Sequence, residues 1–354
     1  MTAESIKEAL KQVKYPGYSR DIVSFGLVKD ISAENGAVAV VIELTGGNAE
    51  IAQQIKTESE QAIRQVPEAN HVYVNVKAPE ASGARSAAPS NASAPGTNPD
   101  KVPGIKKVVA VASGKGGVGK STVSANLACA LTQLGGKIGL LDCDIYGPSI
   151  PLMMGVKERP GLSPNEKLVP LENHGVKLMS MGFLLEDDQP VIWRGPMIMK
   201  TIQQFITSVE WGDLDVLLVD LPPGTGDAQL SLCQTVPLDG GVVVTTPQEA
   251  SLGVVRKGIN MFRKVNVPIL GIVENMSYFT SPQGERIEIF GNGGGREEAA
   301  RQDTAFLGEV PIFQEIREGG DEGIPVVAKA PETAPAQAFL ETAKTVQAEL
   351  AKQG

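Results

Sequence analysis

The strongest constraint on this chain is the stretch 107 to 122, where the apolar run Val108-Val109-Ala110-Val111-Ala112 passes straight into Ser113-Gly114-Lys115-Gly116-Gly117-Val118-Gly119-Lys120-Ser121-Thr122. Gly114, Gly119, Lys120 and Ser121 meet the P-loop pattern G-x-x-x-x-G-K-[ST]. The spacing has a mechanical reason. Glycines let the backbone curl so that successive N–H groups point inward and cradle phosphate oxygens, and the helix that follows adds its positive N-terminus. In such a loop Lys120 reaches the β- and γ-phosphates and Ser121 ligates Mg2+. A strand before the loop and a helix after it, over Val123 to Leu134, complete the required context.

The rest of the chain supplies the matching sheet. Apolar segments at 107–112, 137–142, 214–219, 240–245 and 268–273 predict strands, and helix-length segments separate them. The fold class expected is α/β: a P-loop NTPase domain, 102–354, with a mostly parallel sheet flanked by helices. Ahead of it, helical spacing at 4–13 (Ile6, Leu10, Val13), a β-branched run at 37–44, a helix at 49–64 and an alternating strand His71–Lys77 predict a small α/β domain over 1–78. Val72, Val74 and Val76 face inward in that strand and His71 faces solvent. Residues 79–101 are rich in Pro, Ala, Ser, Gly and Asn, with almost no large apolar side chain to offset ordering, and read as a flexible linker.

In open α/β sheets ligands sit at the carboxyl ends of the strands, so the acids that end strands matter. Val216-Leu217-Leu218-Val219-Asp220 has the Walker B form, whose Asp holds the Mg2+ shell. Asp142 and Asp144 end the neighbouring candidate strand, where they are placed to orient Mg2+ and an attacking water. Leu221 to Asp227 follows Asp220, and the free N–H of Gly224 is expected to sense a γ-phosphate. The guanine-reading N-K-x-D run is missing, which favours ATP, and the Asn275 amide is placed to read a purine edge or simply to serve a turn. Gly291-Asn292-Gly293-Gly294-Gly295 is a second candidate anion nest or a plain turn, and His174 in its polar turn is given no role.

A formal net charge of -9 argues against general affinity for nucleic acid or anionic lipid. No apolar run approaches the about eighteen residues of a membrane span, and the first thirty residues are too polar for a secretory signal, so a cytoplasmic protein is expected. Cys129, Cys143 and Cys233 include no close-spaced pair, hence no disulfide framework or C-x-x-C metal site.

The whole segment Gly114 to Thr122 resembles the deviant Walker A loop of MinD/ParA-type ATPases, with Lys115 as the extra lysine. Asp144-Ile145-Tyr146-Gly147-Pro148-Ser149, Trp193-Arg194-Gly195-Pro196-Met197, Asp220 to Asp227 and Glu274-Asn275-Met276-Ser277 narrow the resemblance to the Mrp family of iron-sulfur cluster carriers over about 104–350. Residues 1–78, including Ile22 to Val28, resemble the small domain often fused in front of such proteins. The resemblance implies an ATP-hydrolysing carrier that works as a nucleotide-bound homodimer and delivers clusters to apo iron-sulfur acceptor proteins. It implies Lys115 reaching the partner's phosphates, Asp144 positioning water, and Asn275 with the backbone near Pro311 facing adenine. A spatial-positioning ATPase and a cluster-free regulatory switch are the alternatives. The sequence departs from the family at one place: Tyr278-Phe279-Thr280-Ser281-Pro282-Gln283-Gly284 replaces a C-x-x-C, and Thr45 to Ala49 has no cysteine. Serine and glutamine are poor substitutes for thiolate toward a cluster, which leaves Cys233 and Cys143 as candidate ligands.

Overall fold

A computed structural model describes residues 2–16, 20–34, 37–44, 49–66, 71–77, 101–145, 147–184 and 195–353. The expected linker up to residue 100, Tyr146, Trp193-Arg194, Thr45 to Asn48 and the side chains of His71 and Asp227 lie outside the described residues. The chain divides into two compact units, Met1–Ala92 and Ser93–Gly354.

The first unit runs α1 (Ala3–Leu10), β1 (Val28–Glu34), β2 (Ala37–Glu43), α2 (Ala49–Arg64), β3 (His71–Lys77). Thr2 and Ser5 form a reciprocal capping box that starts α1. The helix closes at Leu10, short of the expected 13, because Lys11, Gln12 and Val13 switch to i→i−3 bonds that tighten the last turn. Val13 is buried all the same, with Ile6 and Leu10, against Val38, Val40 and Ile42 of β2. Strand β1 escapes the sequence reading because a register shift between Val28 and Asp30 breaks its period-two pattern. It pairs antiparallel with β2, and β2 pairs parallel with β3. Val74 is buried, and Val72 and Val76 pack against the same core.

The second unit begins with β4 (Ile105–Ser113), α3 (Lys120–Gln133), β5 (Ile138–Asp142), α4 (Ile150–Met153), β6 (Leu171–Asn173) and β7 (Val176–Ser180). It continues through α5 (Gly195–Thr207), β8 (Leu214–Asp220), α6 (Asp227–Thr235), β9 (Gly240–Thr245), α7 (Glu249–Lys264) and β10 (Ile269–Thr280). It ends with β11 (Arg286–Ile287), α8 (Gly294–Arg301), β12 (Phe306–Ile312), α9 (Gln314–Glu322), α10 (Val326–Lys329) and α11 (Ala334–Lys352). Nine strands form one sheet in the order β11-β10-β9-β4-β8-β5-β7-β6, with β12 also on β10. Only β11 and β6 run antiparallel to their neighbours.

Each face of this sheet carries its own apolar layer. One is built around α3, with Phe339, Ala343 and Val346 of α11 packed onto it. The other holds Ile202 and Phe205 of α5 with Ile259 and Phe262 of α7. Helix α3 is buried on nearly every side, and Ala125, Ala128 and Ala130 let its neighbours approach closely. Helix α11 therefore belongs to the core. Strand β12 escapes the sequence reading because Gly308 and Pro311 interrupt it, which an edge strand tolerates since Pro there costs no ladder bond. Strand β10 runs well past the expected 273 and bends at Met276, whose φ is +55°, before pairing with β11.

Candidate functional site

Strand β4 lies between β8 and β9, so the P-loop leaves the sheet at its centre. Gly114 rests directly on α7: a Cβ there would sit 2.8 Å from the backbone of Val254. Gly119 caps α3 with φ +79° and offers no side chain to the helix N-terminus. The first N–H groups of α3, at Lys120, Ser121 and Thr122, thus keep no capping acceptor from residue 119, and the helix presents a positive end to an anion. Gly116 and Gly117 are exposed and complete the curl. Val118 anchors the loop through its buried side chain, and its carbonyl accepts a hydrogen bond from Asn275 Nδ2 at 2.8 Å.

The acids converge on the same edge. The register of β5 and β8 sets Asp142 beside Asp220, and both are fully buried. Asp220 accepts from Lys120 Nζ at 2.5 Å and from Ser121 Oγ at 2.7 Å. A buried cation and carboxylate offset their desolvation only when further hydrogen bonds complete them, and Ser121 contributes one here. Asp142 is held differently. Its oxygens accept from the N–H of Asp144 at 3.0 Å, the N–H of Ile150 at 3.3 Å and Ser180 Oγ at 3.0 Å. Burial first, and the charge of Asp220 second, raise its carboxyl to about 7. Expected as a second Mg2+ group, Asp142 also anchors the loop that carries Asp144 through these bonds. The Asp144 side chain is partly buried and accepts a long bond, 3.3 Å, from the Gly147 N–H.

Ser121 and Asp220 form an all-oxygen pair with Asp142 alongside, the donor chemistry a hard divalent cation takes. These residues fit Mg2+, which would supply charge to the phosphates when bound. Lys115 lies at the rim, partly buried, and its Nζ donates to Gln248 Oε1 at 3.2 Å. On the far side, the register Asn275↔Val310 puts Pro311 one position beyond Asn275 on the neighbouring strand. One donor bond of Asn275 goes to Val118, which leaves its oxygen and second amide hydrogen for a ligand.

Several expectations are corrected. The Gly224 N–H is not free but donates to the Ser113 carbonyl at 3.2 Å, tying the loop after Asp220 to the end of β4. The glycine run at 291–295 is no open nest: the Glu274 carboxylate accepts the Gly295 N–H at 2.5 Å and fills the head of α8. Cys233 and Cys143 are core residues. Cys233 is buried and its thiol is pushed up to about 12 by desolvation. Cys143 is fully buried, and desolvation with the charge of Asp142 raises its thiol well above the ordinary range. Among the described residues no three His, Cys, Asp or Glu side chains converge as a metal site. Gln248 and Ser180 were missed. Both stand just beyond or at the end of strands flanking the site, a signal usable only once the strand order is known.

Comparison with known proteins agrees with this geometry. The family model described as NUBPL iron-transfer P-loop NTPase matches residues 104–347, and that of an iron-sulfur cluster assembly protein matches 3–76. The chain is 42% identical over 352 residues to the iron-sulfur cluster carrier protein of Synechocystis sp., covering 98% of this chain and 97% of that one. It is 50% identical over 260 residues to the mitochondrial iron-sulfur protein required for NADH dehydrogenase of Arabidopsis thaliana, covering 73% of this chain and 83% of that one. Among solved structures, a nucleotide-binding protein of Archaeoglobus fulgidus in complex with ADP superposes with TM-score 0.59 at 41% identity, covering 66% of this chain and 92% of that one. The cell division ATPase MinD of Pyrococcus furiosus, at 24% identity and TM-score 0.53, shares the fold over 69% of this chain and 99% of that one. With a central P-loop, a Walker B aspartate bonded to its lysine and a family match over most of its length, this chain belongs to the NUBPL iron-transfer P-loop NTPases.

Proposed function

We propose that this chain binds and hydrolyses Mg-ATP and uses the cycle to carry iron-sulfur clusters, acting as a nucleotide-dependent homodimer in the cytoplasm. The observation that carries the reading is the convergence of Lys120, Ser121 and Asp220 at the uncapped head of α3. ATP enters with its phosphates over Gly114 to Thr122. Lys120 then leaves Asp220 for the phosphates, and Ser121 with Asp220 would hold Mg2+, whose charge would offset that of the phosphates. Asn275 and the backbone at Pro311 face adenine. Lys115 gives up Gln248 and reaches the partner copy's phosphates, while Asp144 aligns the attacking water. Rate comes from positioning and charge neutralisation, since phosphoryl transfer asks for little covalent work from the protein. Replacing Lys115 with Ala is expected to leave ADP affinity intact while abolishing ATP-dependent dimers in light scattering; unchanged dimerisation would remove Lys115 from this role.

The cluster is cargo, passed to an apo iron-sulfur acceptor. Iron and sulfide counting after anaerobic reconstitution, followed by transfer to an apo-ferredoxin, tests that part. A second reading, a cluster-free ATPase switch, draws support from the burial of all three cysteines and from Ser281 and Gln283 in the segment after β10's bend. Absence of bound iron in a protein that still hydrolyses ATP would select it. A membrane-positioning role has the opposite support: the apolar side of α11 is committed to the core, and no described helix is long and apolar enough to cross a membrane.

A further inference from the structure

Among the described residues three side-chain donors reach the Asp220 carboxylate, and they are not equivalent. Two of them, Lys120 Nζ and Ser121 Oγ, share Oδ2. The third is Ser124 Oγ, which donates to Oδ1 at 2.5 Å. Ser124 is fully buried, one turn beyond Lys120 on α3, and of the two acceptors its single hydroxyl hydrogen can reach, the Asp220 carboxylate is nearer than the Lys120 carbonyl at 3.1 Å. Loading, on the reading proposed above, draws Lys120 to the phosphates and Ser121 to the metal. Ser124 lies too deep in the helix to follow either. It is the one donor that stays on the carboxylate throughout.

This matters because the terminal torsion of an aspartate is broad and nearly two-fold, so a carboxylate stripped of its partners turns readily. We propose that Ser124 is the positioning residue of the magnesium site: by keeping Oδ1 it holds the Asp220 carboxylate aimed, with Oδ2 turned toward the P-loop, while the other two donors depart. The inference rests on the nucleotide reading and adds a residue that lies outside the P-loop and Walker B patterns.

The test uses the full-length protein, with Mn2+ as a spectroscopic stand-in for Mg2+. Mn2+ binding to the ADP complex is followed by electron paramagnetic resonance, and ADP binding in excess EDTA by calorimetry. Loss of one hydrogen bond to a charged carboxylate implies that Ser124→Ala weakens Mn2+ binding by roughly tenfold or more, with EDTA-state ADP affinity within about twofold of wild type. Ser124→Thr, which keeps the hydroxyl, restores Mn2+ binding to within about threefold. The assignment is overturned if Ser124→Ala holds Mn2+ as wild type does, if both affinities fall together, or if threonine fails to restore. Should wild type itself show no metal-dependent ADP binding, the nucleotide reading fails and this assignment goes with it. A wild-type response with no effect of Ser124→Ala sinks the assignment alone.

Discussion

Adding a single methyl at Gly119 should do more damage than adding one three residues earlier, and the structure says by how much. Gly119 has φ +79°, a region that costs an ordinary residue about 1–2 kcal/mol. A Cβ there would lie 2.3 Å from Asn275 Nδ2, so the amide must swing away and give up its bond to the Val118 carbonyl. Leaving that buried carbonyl without its donor adds about 1–3 kcal/mol. The expected loss for Gly119→Ala is therefore about 2–5 kcal/mol, with nucleotide binding lost because the displaced loop no longer curls. Gly116 has open space at its Cβ position and no positive φ, so Gly116→Ala should stay within about 0.5 kcal/mol of wild type. Urea unfolding followed through the buried Trp211, with calorimetry of Mg-ADP, reads both variants. Asn275→Ala removes the collision partner, so the double variant should differ from Asn275→Ala alone by only about 1–2 kcal/mol, the backbone part. Equal stability of the Gly119 and Gly116 variants would refute both components at once.

Lys120→Met strands the fully buried Asp220 charge, so the ligand-free protein should lose about 3–5 kcal/mol in urea unfolding, and phosphate release from ATP should vanish. Arg256 donates from Nε to both oxygens of the buried Glu298, tying α7 to α8; Arg256→Ala should cost about 1.5–3 kcal/mol, with Arg301 and Gln302 limiting the loss. Cys129 and Cys233 are both pushed from 9.0 to about 12 by burial, so the native protein should react with Ellman's reagent at pH 8 far more slowly than the urea-unfolded chain. The same shift sets a sign for stability: the unfolded chain releases these protons near pH 9.0 and the native one only near 12, so the contribution is whole below pH 9 and fades above it. The slope should approach about 1.4 kcal/mol per pH unit for each thiol above about pH 10, checked by urea midpoints from pH 8 to 11.

Local features were legible in the sequence, and features that depend on strand order were not. Gly114 to Thr122 and Asp220 could be read because a phosphate cradle and a strand-end acid are each written within a few consecutive residues. The strands at 214–219 and 240–245 were equally plain, being buried at nearly every position and mostly apolar. By contrast, Gln248 meets Lys115 only because β9 neighbours β4, and Ser180 meets Asp142 only because β7 neighbours β5. Strands β1 and β12 hid behind a register shift and a Gly-Pro interruption, respectively. The fate of Cys143 was masked by its position: lying between two acids in sequence suggested a ligand, whereas the fold turns its sulfur into the apolar layer under Ile145 and Met179.

The seat taken by Glu274 on the Gly295 amide has a consequence for selectivity. Besides the P-loop, the chain contains a second glycine-rich helix head, at α8, which lacks the lysines that stand around Gly119. By seating an internal carboxylate at the head of α8, the protein makes that head a poorer place for a polyanion. Repulsion at one head thus adds to the better fit at the other, and the second head serves as a joint between β10 and α8.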